Sequence, residues 1–483
     1  MAVSFTSCRR KLELVTPAQV TPHEYKVVSD IDDQRGLRFY PAGVEFFRSR
    51  RPPHAPSSSQ GAAIDDPVGV IRAALAEALV SYYPLAGRLL ELPAGGGGGG
   101  GGKLVVDCTA EGVAFVEADA SVRLQDLGQP LIPPYPCLHE LLLCDVHESG
   151  EGDVVGKPLL FVQVTRFRDN DGFAIGYRYC HNVIDGFGMS RFLDDVFTLA
   201  RGEALTQHPV WERELLTARA APRVTHEHPA YERLPGTGAG AEDDAMRATP
   251  LQGMVSRYFR LGPEDIAAMR SHVPAGLLEA ATVFEVVAAA AWRCRAAALG
   301  YGPRQRVRLV IVSNARGRWK KPRSPLPRGF YGNALVLRTA EATVEELCGG
   351  GGGLGHALGL VRQSRFDVTD EYMQSMLDLL VQRGRPLYAV DWTYLIADTT
   401  SLRRRVAKAI DGWERAAGGG VASADAERVF PYCLQSFYDY ESTGGGGQAS
   451  AVLLSMCLPP PAMDMFATQI AAFTDKTRLA SAL

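Results

Sequence analysis

A histidine followed four positions later by an aspartate, in His181-Asn182-Val183-Ile184-Asp185-Gly186, stands between two patterned runs. The apolar run Phe173–Cys180 leads in, and the amphipathic run Phe187–Arg201 leads out. The pattern puts His181 at the end of a strand and Asp185 at the mouth of a helix. An imidazole with an ordinary pKa near ~6.5 can take a proton at neutral pH, so a strand-end histidine facing a cavity suits general-base work. A satisfied buried side chain is the plainer alternative. Asp185 has three open roles: orienting the histidine, pairing with a distant arginine, or capping the helix that begins at Gly186.

Other chemistries lack their residues. No Gly-x-Ser-x-Gly elbow and no Cys-x-x-Cys pair occurs, and no dinucleotide fingerprint follows a strand. The tract Gly95–Gly102 precedes Lys103, but Leu104 stands where a phosphate loop needs Ser or Thr, so the tract reads as a hairpin loop. His226-Glu227-His228 is followed by Pro229, which argues against a zinc-binding helix; no metal is expected. One well-placed histidine without a protein nucleophile suits direct transfer, in which a bound hydroxyl or amine is activated to attack an acyl group.

The elements that would position this histidine are readable around it. Leu159–Phe167 and Phe173–Cys180 flank Asn170-Asp171-Gly172, a hairpin signal, so His181 ends the hairpin's second strand. Phe192, Leu193, Val196, Phe197 and Ala200 share one face of the following helix. Upstream, residues 10–15 alternate as a strand does, 30–34 read as a turn, 44–47 as a strand, Val68–Tyr82 as a helix and Gly87–Leu92 as a strand. Strands are expected at 103–108 and 112–117. Residues 203–250 are polar, with prolines at 209, 222, 229 and 235 and a glycine-rich run, and form the boundary between two halves. Beyond it come a strand over 253–261, a helix opening at Gly262-Pro263, and a helix Val283–Ala298 with a Thr282/Glu285 capping box. Further strands are expected at 307–312, 392–398, 435–440 and 451–457, then a last helix from Pro461 to Phe473, with loops at the glycine tracts 349–353 and 444–447.

At 483 residues the chain is long for one core, so two domains are expected. A hydrophobic fraction of 46%, a charged fraction of 22% and a net charge of −3 are ordinary for a soluble protein and give no footprint for nucleic acid. No run approaches a membrane span, and the first ten residues hold no apolar signal core. Nine scattered cysteines fit a reducing compartment, taken as the cytoplasm.

His181 to Gly186 resembles the His-x-x-x-Asp-Gly signature of the plant BAHD acyltransferases. In the family's order, so do Lys11–Ala18, Ser29-Asp30-Ile31-Asp32-Asp33-Gln34, Tyr83-Pro84-Leu85-Ala86-Gly87-Arg88, Tyr331-Gly332-Asn333-Ala334 and Cys457–Met463. The opening segment and Pro209–Glu214 look most like the benzyl alcohol O-benzoyltransferase branch. The resemblance implies an α/β fold of two similarly built mixed-sheet domains, chloramphenicol acetyltransferase-like, with a central channel: residues 1–202, a crossover loop 203–250, and residues 251–483. It implies a monomer that uses acyl-CoA as co-substrate and a small alcohol as acceptor, with no bound cofactor. His181 would be the general base, and Asp185, beside Gly186, would pair with Arg316. The family's Asp-Phe-Gly-Trp-Gly motif is altered here to Ile410-Asp411-Gly412-Trp413-Glu414, keeping Asp411 and Trp413 one residue closer together. A non-catalytic relative is the reading this alteration motivates. Trp392, in Val390-Asp391-Trp392-Thr393-Tyr394, is either an oxyanion donor through its indole N–H or a core tryptophan.

Overall fold

In a computed structural model the described residues are 4–50, 66–93, 102–128, 131, 133–143, 154–234, 244–319, 325–349, 353–400, 410, 412–416, 420–422, 434–440 and 451–474. The chain begins with β1 (Ser7–Arg9), β2 (Glu13–Val15), β3 (Tyr25–Val27) and β4 (Ala42–Ser49). Then follow α1 (Pro67–Ser81), β5 (Arg88–Glu91), β6 (Leu104–Asp107), β7 (Val113–Ala120), α2 (Leu138–Leu141), β8 (Leu160–Arg166), β9 (Gly172–Tyr179), α3 (Gly186–Ala200) and α4 (Ala245–Ala248). The second part holds β10 (Val255–Leu261), α5 (Pro263–Ser271), α6 (Ala275–Leu278), α7 (Val283–Ala298), β11 (Arg306–Asn314), β12 (Leu335–Thr343), α8 (Val344–Cys348), α9 (Gly353–Gln363) and α10 (Asp370–Gln382). It closes with β13 (Thr393–Asp398), β14 (Trp413–Arg415), β15 (Gly420–Ala422), β16 (Leu434–Tyr440), β17 (Ala451–Leu458) and α11 (Pro460–Ala471).

One mixed sheet runs β1-β7-β8-β9-β4-β14, with β2 also on β7 and β15 also on β4. The hairpin β8–β9 is its centre, and its turn is made by Asp169 and Asn170, both in the left-handed conformation that such short polar side chains tolerate. Phe47 on β4 lies opposite Phe173 on β9 with rings stacked 4.7 Å apart. Trp413 on β14 meets Phe173 edge-on at 5.0 Å. Such aromatic pairs contribute about 0.5–1.5 kcal/mol beyond area burial. A smaller sheet, β3-β6-β5, adjoins. Helices α1 and α3 share one apolar core with the first sheet, built on Leu75, Leu79, Phe192 and Phe197.

The second sheet runs β10-β17-β16-β13-β11-β12, with β11, β13 and β16 parallel. Helices α5, α7, α9 and α11 cover one of its faces, and α10 builds a separate core with β11 to β13. The expected capping box at α7 is present: Glu285 N–H donates to Thr282 Oγ1 at 3.2 Å, and Thr282 N–H donates to Glu285 Oε2 at 2.9 Å. Val286, Val287 and Ala288 to Ala291 are fully buried, so this helix is apolar nearly all round because it is packed nearly all round.

Several expectations shift. The strand expected over 10–15 is confined to Glu13–Val15, with a second short strand before it at Ser7–Arg9, both paired to β7. Gly353, expected in a loop, opens α9. Helices α9 and α10 and strands β14 and β15 were not expected; β14 and β15 pair with β4, remote in sequence, which no local pattern encodes. The tract residues 95–101, 350–352 and 444–447 lie outside the described residues, as does Asp411.

Candidate active site

β9 ends at Tyr179, and the chain turns at 181–183 before α3 begins. The His181 N–H donates to Phe39 O at 3.0 Å, and its carbonyl accepts from Asn333 Nδ2 at 2.6 Å. The ring lies between Phe39, 5.1 Å away, and Tyr179, 6.0 Å away. The residue is partly exposed, yet Nδ1 is buried without a hydrogen-bond partner. Burial pulls the imidazole below its ordinary 6.5, opposed first by its own main chain and then by Asp185, Asn333 and Asp32. The ring is therefore neutral at pH 7 and can accept a proton. Its neighbour Cys180 is fully buried, which pushes the thiol up to about 12, so no thiolate nucleophile forms there.

Asp185 is the N-cap of α3: its Oδ1 accepts from Gly188 N at 2.7 Å. Both oxygens also hold Arg316, at 2.8 and 3.1 Å, and Oδ2 accepts from Ala334 N at 3.2 Å. Arg316 packs its guanidinium over the Phe187 ring at 4.7 Å and donates to Phe330 O at 3.2 Å. So Asp185 both caps the helix and pairs with an arginine. Gly186 is the first residue of α3. Two residues on, a Cβ on Gly188 would sit 2.0 Å from Tyr331 O, so only glycine permits this close approach of the helix to the 331–334 segment.

Sequence reasoning missed a buried polar hub beside the histidine. Asp32 is fully buried; its Oδ1 accepts from Asn333 N at 2.9 Å and Asn333 Nδ2 at 2.7 Å, across 301 residues of sequence. Its Oδ2 forms an ion pair with Arg213 Nε at 2.9 Å. Arg213, 1% exposed, donates to Val183 O at 2.8 Å and lies against the rings of Trp211, Phe330 and Tyr331. Asn182, fully buried, donates to the carbonyls of Asp32 and Gln34. The segment read as a turn therefore turns its polar side chains inward. Asp33 pairs with Arg385 at 2.8 Å, and Asp30 with Lys103. Three aspartates within four residues, Asp30, Asp32 and Asp33, were the available signal.

The remaining sequence candidates lie elsewhere. The Trp392 side chain, 5% exposed, belongs to the apolar core that α5, α7, α9 and α11 build behind the second sheet, whereas His181 lies against Phe39, Tyr179 and Asn333. Its main chain is engaged too, the N–H donating to Asp244 Oδ2 at 2.8 Å. Trp413 is buried in the first sheet's core. His228 is buried against Tyr372, with Nε2 2.9 Å from Ser375 Oγ. Among the described residues no group of His, Cys, Asp or Glu could hold a metal, and no helix is long and apolar enough to cross a membrane.

The model of the transferase family matches residues 9–396. The chain is 45% identical to Acyl transferase 1 of Oryza sativa subsp. japonica, over 99% of this chain and 98% of that protein. It is 42% identical to benzyl alcohol O-benzoyltransferase of Petunia hybrida, over 96% and 93%. Its fold is similar to that of vinorine synthase (TM-score 0.68, 19% identity, covering 97% of this chain and 99% of that one). It is also similar to F. sporotrichioides TRI101 complexed with coenzyme A and T-2 (TM-score 0.59, 12% identity, 92% and 97%).

Proposed function

This chain belongs to the transferase family of BAHD acyltransferases, and from that premise we propose that it moves an acyl group from an acyl-CoA thioester to a small alcohol, with His181 as general base. The observation that carries the reading is the neutral, partly exposed imidazole of His181, fixed through its main chain at the end of β9. Alcohol and acyl-CoA bind together. The acceptor hydroxyl gives its proton to the imidazole as its oxygen attacks the thioester carbonyl. The tetrahedral oxyanion collapses, the C–S bond breaks, and the leaving thiolate takes the proton back from the imidazolium. No acyl-enzyme forms, in keeping with the protonated Cys180.

Coenzyme A in a fold neighbour supports the donor class, and the Petunia relative supports an aromatic acyl group, benzoyl among them, with a benzyl-type alcohol as acceptor. Residues 1–202 and 251–483 act as the two lobes of a monomer in the cytoplasm, with 203–250 crossing between them. Asp185, Gly186 and Arg316 are scaffold in this reading, and Trp413 braces the first sheet.

The test is thiol release from a panel of acyl-CoAs and alcohols. Acceptor-dependent release lost in a folded His181→Ala variant is expected, with kcat/KM falling on the acid side through an inflection below 6.5, because only the neutral imidazole is a base. Wild-type turnover by His181→Ala would refute the mechanism. Absent release across the panel would favour a binding-only relative.

A further inference from the structure

We propose that Asn333, anchored by Asp32, is a positioning residue that sets the aim of the His181 imidazole; the proposal rests on the general-base reading above. Each residue of the turn after β9 is gripped from a different part of the chain. His181 O is held by Asn333, Asn182 Nδ2 by the carbonyls of Asp32 and Gln34, and Val183 O by Arg213. Those grips converge on one carboxylate. Asp32 receives Asn333 twice and Arg213 once, and its own loop closes on it through Ser29, whose Oγ accepts from Asp32 N at 3.0 Å. Asn333 sits on the segment that enters β12 of the second sheet, whereas Asp32 and His181 belong to the part of the chain that builds the first. The hub therefore fixes the turn by stitching the two sheets together at the histidine.

The second observation is electrostatic. Burial lowers the affinity of the His181 imidazole for a proton, and Asn333 is among the groups that raise it, after the histidine's own main chain and the Asp185 carboxylate. The residue that holds the His181 carbonyl therefore also favours the protonated ring, so its loss moves both where the ring stands and how basic it is.

The experiment compares full-length wild type, Asn333→Ala and His181→Ala, each checked for cooperative thermal unfolding and for CoA binding by calorimetry. Misaiming a catalytic group by about 1 Å costs about 10²-fold. Asn333→Ala is therefore expected to lose about that much kcat with KM for acyl-CoA little changed. The acid limb of its kcat/KM profile should move to lower pH. A kcat within twofold of wild type overturns the proposal, and so does a loss of kcat with an unmoved limb, which is what a merely structural asparagine gives. Asn333→Ser, with a shorter single donor, carries the same readouts if the alanine variant does not fold. A dead His181→Ala beside a normal Asn333→Ala sinks the positioning role alone, whereas an active His181→Ala sinks the general base and the positioning role with it.

Discussion

Replacing Asp185 by alanine tests whether the acid of the His-x-x-x-Asp pattern works as scaffold. Its carboxylate serves four donors: Gly188 N, two nitrogens of Arg316 and Ala334 N. Losing the helix cap costs about 1 kcal/mol. Leaving Arg316 without its partner costs about 3–5 kcal/mol where a pair is buried. The two side chains keep only 11% and 12% of their surface, so most of that penalty applies. The expected loss is about 4–5 kcal/mol, a large part of the ~5–15 kcal/mol typical of a folded domain. Thermal and urea unfolding of Asp185→Ala, Asp185→Asn and Arg316→Ala, with the double variant closing the cycle, measure it. Asp185→Asn keeps an oxygen for the cap and should recover roughly 1 kcal/mol. At a temperature where Asp185→Ala is folded, turnover should survive in part, with the His181 acid limb moved to lower pH because the Asp185 carboxylate favours the imidazolium. A variant within about 0.5 kcal/mol of wild type that has nevertheless lost all turnover would refute the scaffold argument.

Trp392→Phe separates the core reading from the oxyanion reading: kcat should stay within a few-fold of wild type while the melting temperature falls, whereas a lost oxyanion donor would cost about 10²–10³ in kcat. Gly188→Ala forces a Cβ against Tyr331 O; overpacking of this kind costs about 1–3 kcal/mol, and against a rigid carbonyl the unfolding midpoint should show at least that. His228 gives stability a pH dependence. Burial takes its imidazole down to about 4, so the folded state binds the proton later than the unfolded chain. Stability from this group is full above pH ~6.5 and is lost as pH falls toward 4, by roughly 3 kcal/mol at most. His228→Gln should flatten that slope between pH 6.5 and 4, and an unchanged slope would dismiss the assignment.

What the sequence made legible was local. The β8–β9 hairpin follows from alternating apolar residues around an Asn-Asp-Gly turn, α3 from its apolar stripe, and α7 from Thr282 and Glu285 three residues apart. Helix α10 was equally available: Thr369 caps it through Tyr372 N, and Met373, Met376, Leu377 and Leu380 lie at helical spacing on its buried face. The hub was not available from spacing, because Asp32 finds Asn333 and Arg213 only once two sheets have formed. Acidic residues in sequence read as solvated turn, and only their distant cations and amides make them interior. The two readings of Trp392 stay open in the sequence for a related reason: its position beside a strand is local, but the face its indole joins is decided by the helices packed there.

The two short strands β14 and β15 cap the edge of the first sheet by pairing with β4. On a ribosome adding ~5–20 residues per second, roughly 20–70 s separate the synthesis of β4 from that of its cover. Through that interval β4, with Phe46 and Phe47 destined for the core, presents an unpaired flank on which a second nascent chain can add a strand. Yield in a foreign host is therefore set by how fast the ribosome reaches residue 422 and by whether a chaperone occupies the open edge until then, and slowed translation of the final third should send the chain into aggregates even though the finished fold is sealed.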